Sequence, residues 1–265
     1  MTDISAAMVK QLRDATSAGM MDCKRALVET DGDYDAAMKL LREKGMASAA
    51  KRADRETREG VVLTRVEQGT AAAIVAVGCE TEPVSKNDDF RAFAEEALSA
   101  VFERGEDAAA ELEDRRVELS ARLGENIQIA GARRLEAGAG DEFSAYVHPP
   151  ANKVGVLLQV KGGSPELARQ LAMHISFSKP TYSSRDEVPA ELVAGEREIL
   201  CKLPEVESKP ADVREKIVEG MLNKRFYAES VLGEQAWIHD TSLTVAKALD
   251  QGALQLVDYA WFSVG

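Results

Sequence analysis

Chemistry at a protein site needs polar side chains that converge, and this chain carries few. Of its 265 residues, three are histidine (His148, His174, His239) and three are cysteine (Cys23, Cys79, Cys201). The cysteines are widely spaced, odd in number and without a C-x-x-C pair, so neither a disulfide framework nor a zinc site is indicated. A Cys79–histidine couple is the least implausible nucleophile, but no nucleophile elbow, phosphate loop or metal-spaced cluster accompanies it. Gly162-Gly163-Ser164 reads as a strand-to-helix turn. The stretch that stands out is Gly78-Cys79-Glu80-Thr81-Glu82-Pro83-Val84-Ser85-Lys86-Asn87. It follows an apolar run, Ala71 to Val77, with the pattern of a buried strand, and precedes a helix start at Asp89-Phe90. Thr81 to Asn87 is therefore expected as a short loop at a strand's C-terminal end, where functional loops often sit. Pro83 stiffens it and pushes Glu82 towards extended geometry. The result is a semi-rigid tip with two carboxylates, Glu80 and Glu82. Taken alone, such a tip reads most simply as an ordinary loop with a solvated acid.

The elements around it fall into three parts. Residues 1–55 read as three short helices. Ser5 caps the first, whose Met8, Val9 and Leu12 share a face; the second starts at Met20; Asp33 caps the third, which is expected to end at Gly45. Met20 and Met21 diverge by about 100° on one helix, so at least one should face outwards. Residues 47–59 are Ala-rich and charged, without an apolar stripe, and read as a partly helical linker. Residues 56–140 follow as a hairpin (61–66 and 71–77), helices at about 88–104 and 107–123, and a strand at 127–135. Residues 141–265 repeat that order: a hairpin (143–148 and 154–160), a helix opened by Pro165, a helical hairpin at about 187–226, strand-like Val231-Leu232 and Ala236-Trp237-Ile238, a short helix and a closing strand at 253–264. The fold class is α+β: a small helical domain, then two subdomains of antiparallel sheet with helices on one side.

Composition narrows the function. The net charge is −12, and residues 1–60 are balanced, so the rest of the chain carries the excess. That argues against nucleic-acid binding, which rests on neutralising phosphates. No apolar run is long enough to span a bilayer and no secretory leader opens the chain, so a cytosolic protein is expected.

Two strings carry a resemblance. Val9-Lys10-x-Leu12-Arg13-x-x-Thr16-x-Ala18-Gly19-Met20-Met21-Asp22-Cys23-Lys24-x-Ala26-Leu27 resembles the N-terminal module of bacterial elongation factor Ts, a ubiquitin-associated-like domain. Cys79-Glu80-Thr81-Glu82-Pro83-Val84 resembles that family's Cys-(Glu/Gln)-Thr-Asp-Phe-Val signature. Leu123-Gly124-Glu125-Asn126-Ile127, Met173-His174 with Ser178-Lys179-Pro180, and Lys216-Ile217-Val218-Glu219-Gly220 extend the likeness over nearly the whole chain. Glu82 stands where the family has Asp, and Pro83 where it has Phe. The resemblance implies a guanine nucleotide exchange factor for elongation factor Tu, with no catalytic residue, metal or cofactor of its own. It implies that Thr81, Glu82, Pro83 and Val84 form the loop that disturbs the partner's magnesium site. Met20, Met21, His148, Met173 and His174 would face the partner, in its GDP-bound and nucleotide-free states, and two such complexes would be able to pair. Because Pro83 cannot wedge as an aromatic does, a second reading stays open: a binding or stabilising partner that does not accelerate nucleotide release.

Overall fold

The computed structural model describes residues 4–16 and 18–265; residues 1–3, and Ser17 within the expected helix break, lie outside them. Helix α1 (Ala6–Thr16) buries Val9 and Leu12, and α2 (Met20–Glu29) buries Cys23, Ala26 and Leu27, in each case on one helical stripe. Ser5 accepts from Met8 N at 3.2 Å, and Asp33 accepts from Ala36 N at 2.9 Å to open α3 (Tyr34–Ala50). The expected stop at Gly45 does not occur, because α3 runs on to Ala50. A helical glycine costs only about 1 kcal/mol relative to alanine, and here the missing side chain has a use.

The first sheet is antiparallel with order β1 (Glu59–Glu67), β2 (Ala71–Cys79), β3 (Gln128–Glu136). Between β2 and β3 lie a single turn α4 (Glu82–Ser85), the long α5 (Asp88–Arg104), a 3-10 segment (Glu106–Leu112) and α6 (Glu113–Leu123). A Cβ on Gly45 would meet the Ala121 Cβ at 2.9 Å, so the glycine lets α3 lie close along α6. Arg42 adds an ion pair with Glu118 at 3.6 Å. The helical module is thus seated on the first half. Residues 51–55 form turns tied down from below: Asn126 Nδ2 donates to the carbonyls of Ala53 (3.1 Å) and Arg55 (2.7 Å). The stretch expected as a linker is in contact along much of its length.

The second sheet repeats the first, with order β4 (Glu142–Val147), β5 (Val154–Gly162), β6 (Leu254–Ser263) and helix α7 (Pro165–Ser178) after β5. The repeat extends to an irregularity. In β2 the pairs Ala76–Gly131 and Val77–Ile129 leave Ala130 bulged, and in β5 the pairs Gln159–Asp258 and Val160–Leu256 leave Val257 bulged. Both bulges follow the sixth residue of their central strand. Between α7 and β6 the second half inserts α8 (Ala190–Cys201), α9 (Pro204–Glu207), α10 (Ala211–Met221), a π-helical stretch (Leu222–Tyr227), α11 (Ala228–Ser230) and finally α12 (Val245–Gln251). The α8–α10 region has its own core of Val188, Leu200, Val206, Val218 and Leu222. The two segments expected as strands, 231–232 and 236–238, make only isolated bridges, Tyr182–Val231 and Ala236–Thr244. Leu232 turns at once into a 3-10 segment, which leaves no run of backbone for a partner strand.

Alternation along the central strands sets the layering. Alternate β2 residues Ala71, Ala73, Val75 and Val77 pack under α5, while Ala72, Ile74 and Ala76 pack with Phe143 and Leu157 of the second sheet. Val156, Leu158 and Val160 of β5 face α7 through Leu171, Ala172 and Ile175. The order is helix, sheet, sheet, helix, and β2 is buried on both faces. Small residues make the two sheets fit: a Cβ on Gly155 would meet Val62 Cγ1 at 2.4 Å, and one on Gly131 would strike the Phe262 ring at 2.5 Å.

Candidate functional site

Strand β2 delivers the chain to Cys79, and the tip begins there. Pro83 lies in the first turn of α4 rather than in an extended loop, correcting the expectation for Glu82-Pro83. Proline suits a helix's first turn, because its φ is already helical and its missing N–H has no bond to make there. Ser85 N donates to Thr81 O and Lys86 N to Glu82 O, each at 3.2 Å, and Ser85 Oγ closes back on Glu82 O at 2.8 Å. Asn87 then accepts from Asp89 N at 2.9 Å and starts α5. Val84 is half-buried against the core around Phe90, while Thr81, Glu82 and Pro83 are exposed.

Glu125 holds this turn in place. Its Oε2 accepts from the backbone N–H groups of Glu80 and Thr81, both at 3.0 Å, and its Oε1 accepts from Thr81 Oγ1 at 2.5 Å. Glu80 answers from the other side: its carboxylate accepts from Asn126 N at 2.7 Å and faces Arg55 at 3.3 Å. The two carboxylates of the tip therefore differ in kind. Glu80 is spent on structure. Glu82 is exposed, pairs among the described residues only with Lys86 at 2.7 Å, and is held below the usual carboxylate range first by that hydrogen bond and charge. The Cys79 thiol is pushed up to about 12 by burial and then by the charge of Glu125, and it rests against Thr81 O at 3.4 Å. A thiol so protonated at neutral pH is no nucleophile.

The β4–β5 turn lies at the same end of the molecule. Lys153 Nζ donates to Glu59 Oε1 at 2.6 Å, and Glu59 pairs across the sheet with Cys79. The Lys153 charge also reaches Glu82, lowering its pKa further. His148 opens that turn, exposed, with Nδ1 2.8 Å from the Tyr146 hydroxyl. On α2, Met20 is 45% and Met21 61% exposed, so both face outwards while Cys23 is buried. Met173 is half-buried on α7. His174 beside it is fully buried: Ile238 N donates to its Nδ1 at 3.4 Å, so Nε2 carries the proton and donates to Gln235 Oε1 at 2.9 Å. Its ring stacks on Trp237 with centroids 5.3 Å apart, and burial holds its pKa below the ordinary value, so it stays neutral. The described residues contain no group of three His, Cys, Asp or Glu placed to hold a metal ion.

The geometry is that of a rigid, exposed acidic tip on a fully braced strand. The family model of elongation factor Ts covers residues 80–265. The elongation factor Ts of Methylococcus capsulatus is 40% identical over 99% of this chain and 92% of its own length. That of Sodalis glossinidius is 40% identical over 100% and 93%, and that of Halorhodospira halophila 41% over 99% and 92%. The chain belongs to the elongation factor Ts family.

Members of this family are nucleotide exchange factors of elongation factor Tu. Sequence reading singled out Thr81 to Val84 and passed over Glu125 and Lys153. The signal for Glu125 was present in Leu123-Gly124-Glu125-Asn126-Ile127. Gly124 takes a left-handed φ of 77° to end α6, which turns the next two residues towards the tip. No local pattern marks Lys153, whose role comes from the pairing of two hairpins.

Proposed function

We propose that the chain promotes release of GDP from elongation factor Tu by bringing the Thr81–Val84 turn against the partner's magnesium site. An exchange factor works by linkage: it binds the nucleotide-free GTPase better than the nucleotide-bound form and needs no catalytic group. Magnesium bridges nucleotide and protein, so a carboxylate that draws it or its water shell away removes much of the nucleotide's affinity. The observation that carries this reading is the pairing of an exposed Glu82 with a backbone fixed by Glu125, which leaves the acid no internal task beyond Lys86. In this reading Met20, Met21, His148 and Met173 contact the partner. His174 acts from inside, by setting how α7 and the 235–238 segment pack. Residues 1–55, 56–140 and 141–265 act as separate functional units of a cytosolic factor, and pairing of two complexes belongs to the same proposal.

The second reading, a partner that binds without accelerating release, is favoured by Pro83. It is exposed, lacks an N–H and places no aromatic at the tip. Measuring the GDP release rate from elongation factor Tu at saturating protein, with magnesium varied, separates the two. Exchange predicts a rate well above spontaneous release that falls as magnesium rises; a pure binding partner gives the spontaneous rate at every magnesium concentration.

A further inference from the structure

The end of α7 carries two exposed side chains, Phe177 and Lys179. Phe177 is 78% exposed, more than any other large apolar side chain among the described residues. Met173, one turn earlier, lies on the same helical face. Two residues on, Lys179 ends the helix with φ 45° and ψ 57°, a left-handed conformation that glycine adopts more cheaply. Its backbone N–H bonds Ile175 O at 2.9 Å, and among the described residues no carboxylate lies within ion-pairing distance of its ammonium group. Pro180 then fixes the chain, its carbonyl accepting from Trp261 Nε1 at 3.0 Å. Lys179 borders one groove with Glu56, Thr57, Arg58 and Lys153, so this helix end shares the face formed by the start of β1 and the β4–β5 turn.

Strained backbone that a cheaper residue would relieve points to a use for the side chain itself. We propose that Phe177 and Lys179 form a docking contact for the GTPase, taking up a partner surface that offers an apolar pocket with a carboxylate at its rim. The proposal rests on the exchange-factor reading above. The occupant follows from the surface: a rigid aromatic on a helix end is the kind of side chain that anchors interfaces, and an unpaired cation beside it selects an acidic rim. The contact lies on the face to which Lys153 and the tip belong, so one partner body reaches both.

The experiment measures affinity of the full chain for nucleotide-free elongation factor Tu at low and moderate salt, together with thermal unfolding. Phe177→Ala is expected to weaken binding roughly tenfold or more at both salt concentrations, with Tm unchanged. Lys179→Gly is expected to raise Tm by on the order of 2 °C while weakening binding and flattening its salt dependence. The opposed signs in stability and affinity are what a merely structural lysine does not give. If the parent chain binds and both variants bind as tightly, the docking contact is overturned while the exchange reading stands. If the parent does not bind elongation factor Tu, both fall.

Discussion

The two halves of the sheet region solve the same problem and then part. Each has a nine-residue central strand, β2 or β5, bulged opposite its sixth residue and followed by a helix that covers the sheet. At the end of β5 the chain turns through Gly162 and Gly163, both at left-handed φ, into Ser164, which caps α7 by accepting from Leu167 N at 3.1 Å. That turn is closed and quiet. At the end of β2 the same topological place holds the Glu80–Ser85 turn, an exposed carboxylate and a clamp from Glu125. A repeated fold thus supplies two equivalent strand ends, and of these two only the end of β2 carries an exposed carboxylate on a clamped turn. What distinguishes them is the residue that reaches over from the neighbouring strand entry, not the strand itself.

The comparison breaks first at Glu125. Glu125→Ala removes three hydrogen bonds from the tip and leaves two N–H groups unpaired, each costing on the order of 1–3 kcal/mol where water does not replace the partner. We expect the GDP release rate at saturation to fall at least tenfold, because the turn no longer holds its geometry. Ser164→Ala in the other half should cost about 1 kcal/mol of stability, the ordinary value of a lost N-cap, and leave release unchanged. Equal losses of release in the two variants would show that the halves are not functionally distinct.

A second variant tests whether the halves act as one body. Gly155→Ala pushes a methyl group into Val62 between the sheets and should destabilise the chain by about 1–3 kcal/mol, read by denaturant unfolding as one cooperative loss. Two separate transitions would mean that the sheets fold independently.

A pH titration sharpens the account of the second half. His174 is buried neutral, with its pKa depressed below an ordinary value of about 6.5. Above that value neither folded nor unfolded chain protonates it, and it contributes no pH dependence. As pH falls below about 6.5 the unfolded chain takes up the proton first, so stability is lost down to the depressed folded pKa, with a slope of at most about 1.4 kcal/mol per pH unit. His174→Gln should remove that slope as pH falls below about 6.5. The smallest effect is expected at Lys86: Lys86→Ala breaks an exposed pair with Glu82 and should change stability by less than about 0.5 kcal/mol. Release should be unchanged or faster, because the acid is freed.

Much of this architecture is legible in the residues. The apolar run Ala71 to Val77 reads as a buried strand because it is buried on both faces. The order hairpin, helices, closing strand is visible in each half, as is the cap at Asp33. Reading fails where tertiary contact overrides local preference. Gly45 is a stop signal by type, yet it serves as a gap into which Ala121 fits. Glu82-Pro83 reads as extended because a residue before proline avoids the helical region, but the clamp from Glu125 lies 45 residues away in sequence and no local rule contains it. Val231-Leu232 has strand-like composition and no strand to pair with. Residue types identified the family, while the difference between Glu80, tied to Asn126 N, and the exposed Glu82 arises from tertiary contact that no local pattern shows.

The claim at the centre is that the exposed Glu82-Pro83 turn on the first half sets the exchange rate. Its direct test is the maximal GDP release rate from elongation factor Tu for four chains: parent, Glu82→Ala, Pro83→Ala, and the pair Glu82→Asp with Pro83→Phe. An aromatic buried only in the nucleotide-free complex contributes on the order of 1.5–3 kcal/mol, or roughly ten- to a hundredfold in rate. The account predicts that Glu82→Ala slows release, that Pro83→Ala stays near the parent, and that the paired change accelerates release by at least tenfold. Four equal rates, all above spontaneous release, would contradict it and place the exchange element outside this turn.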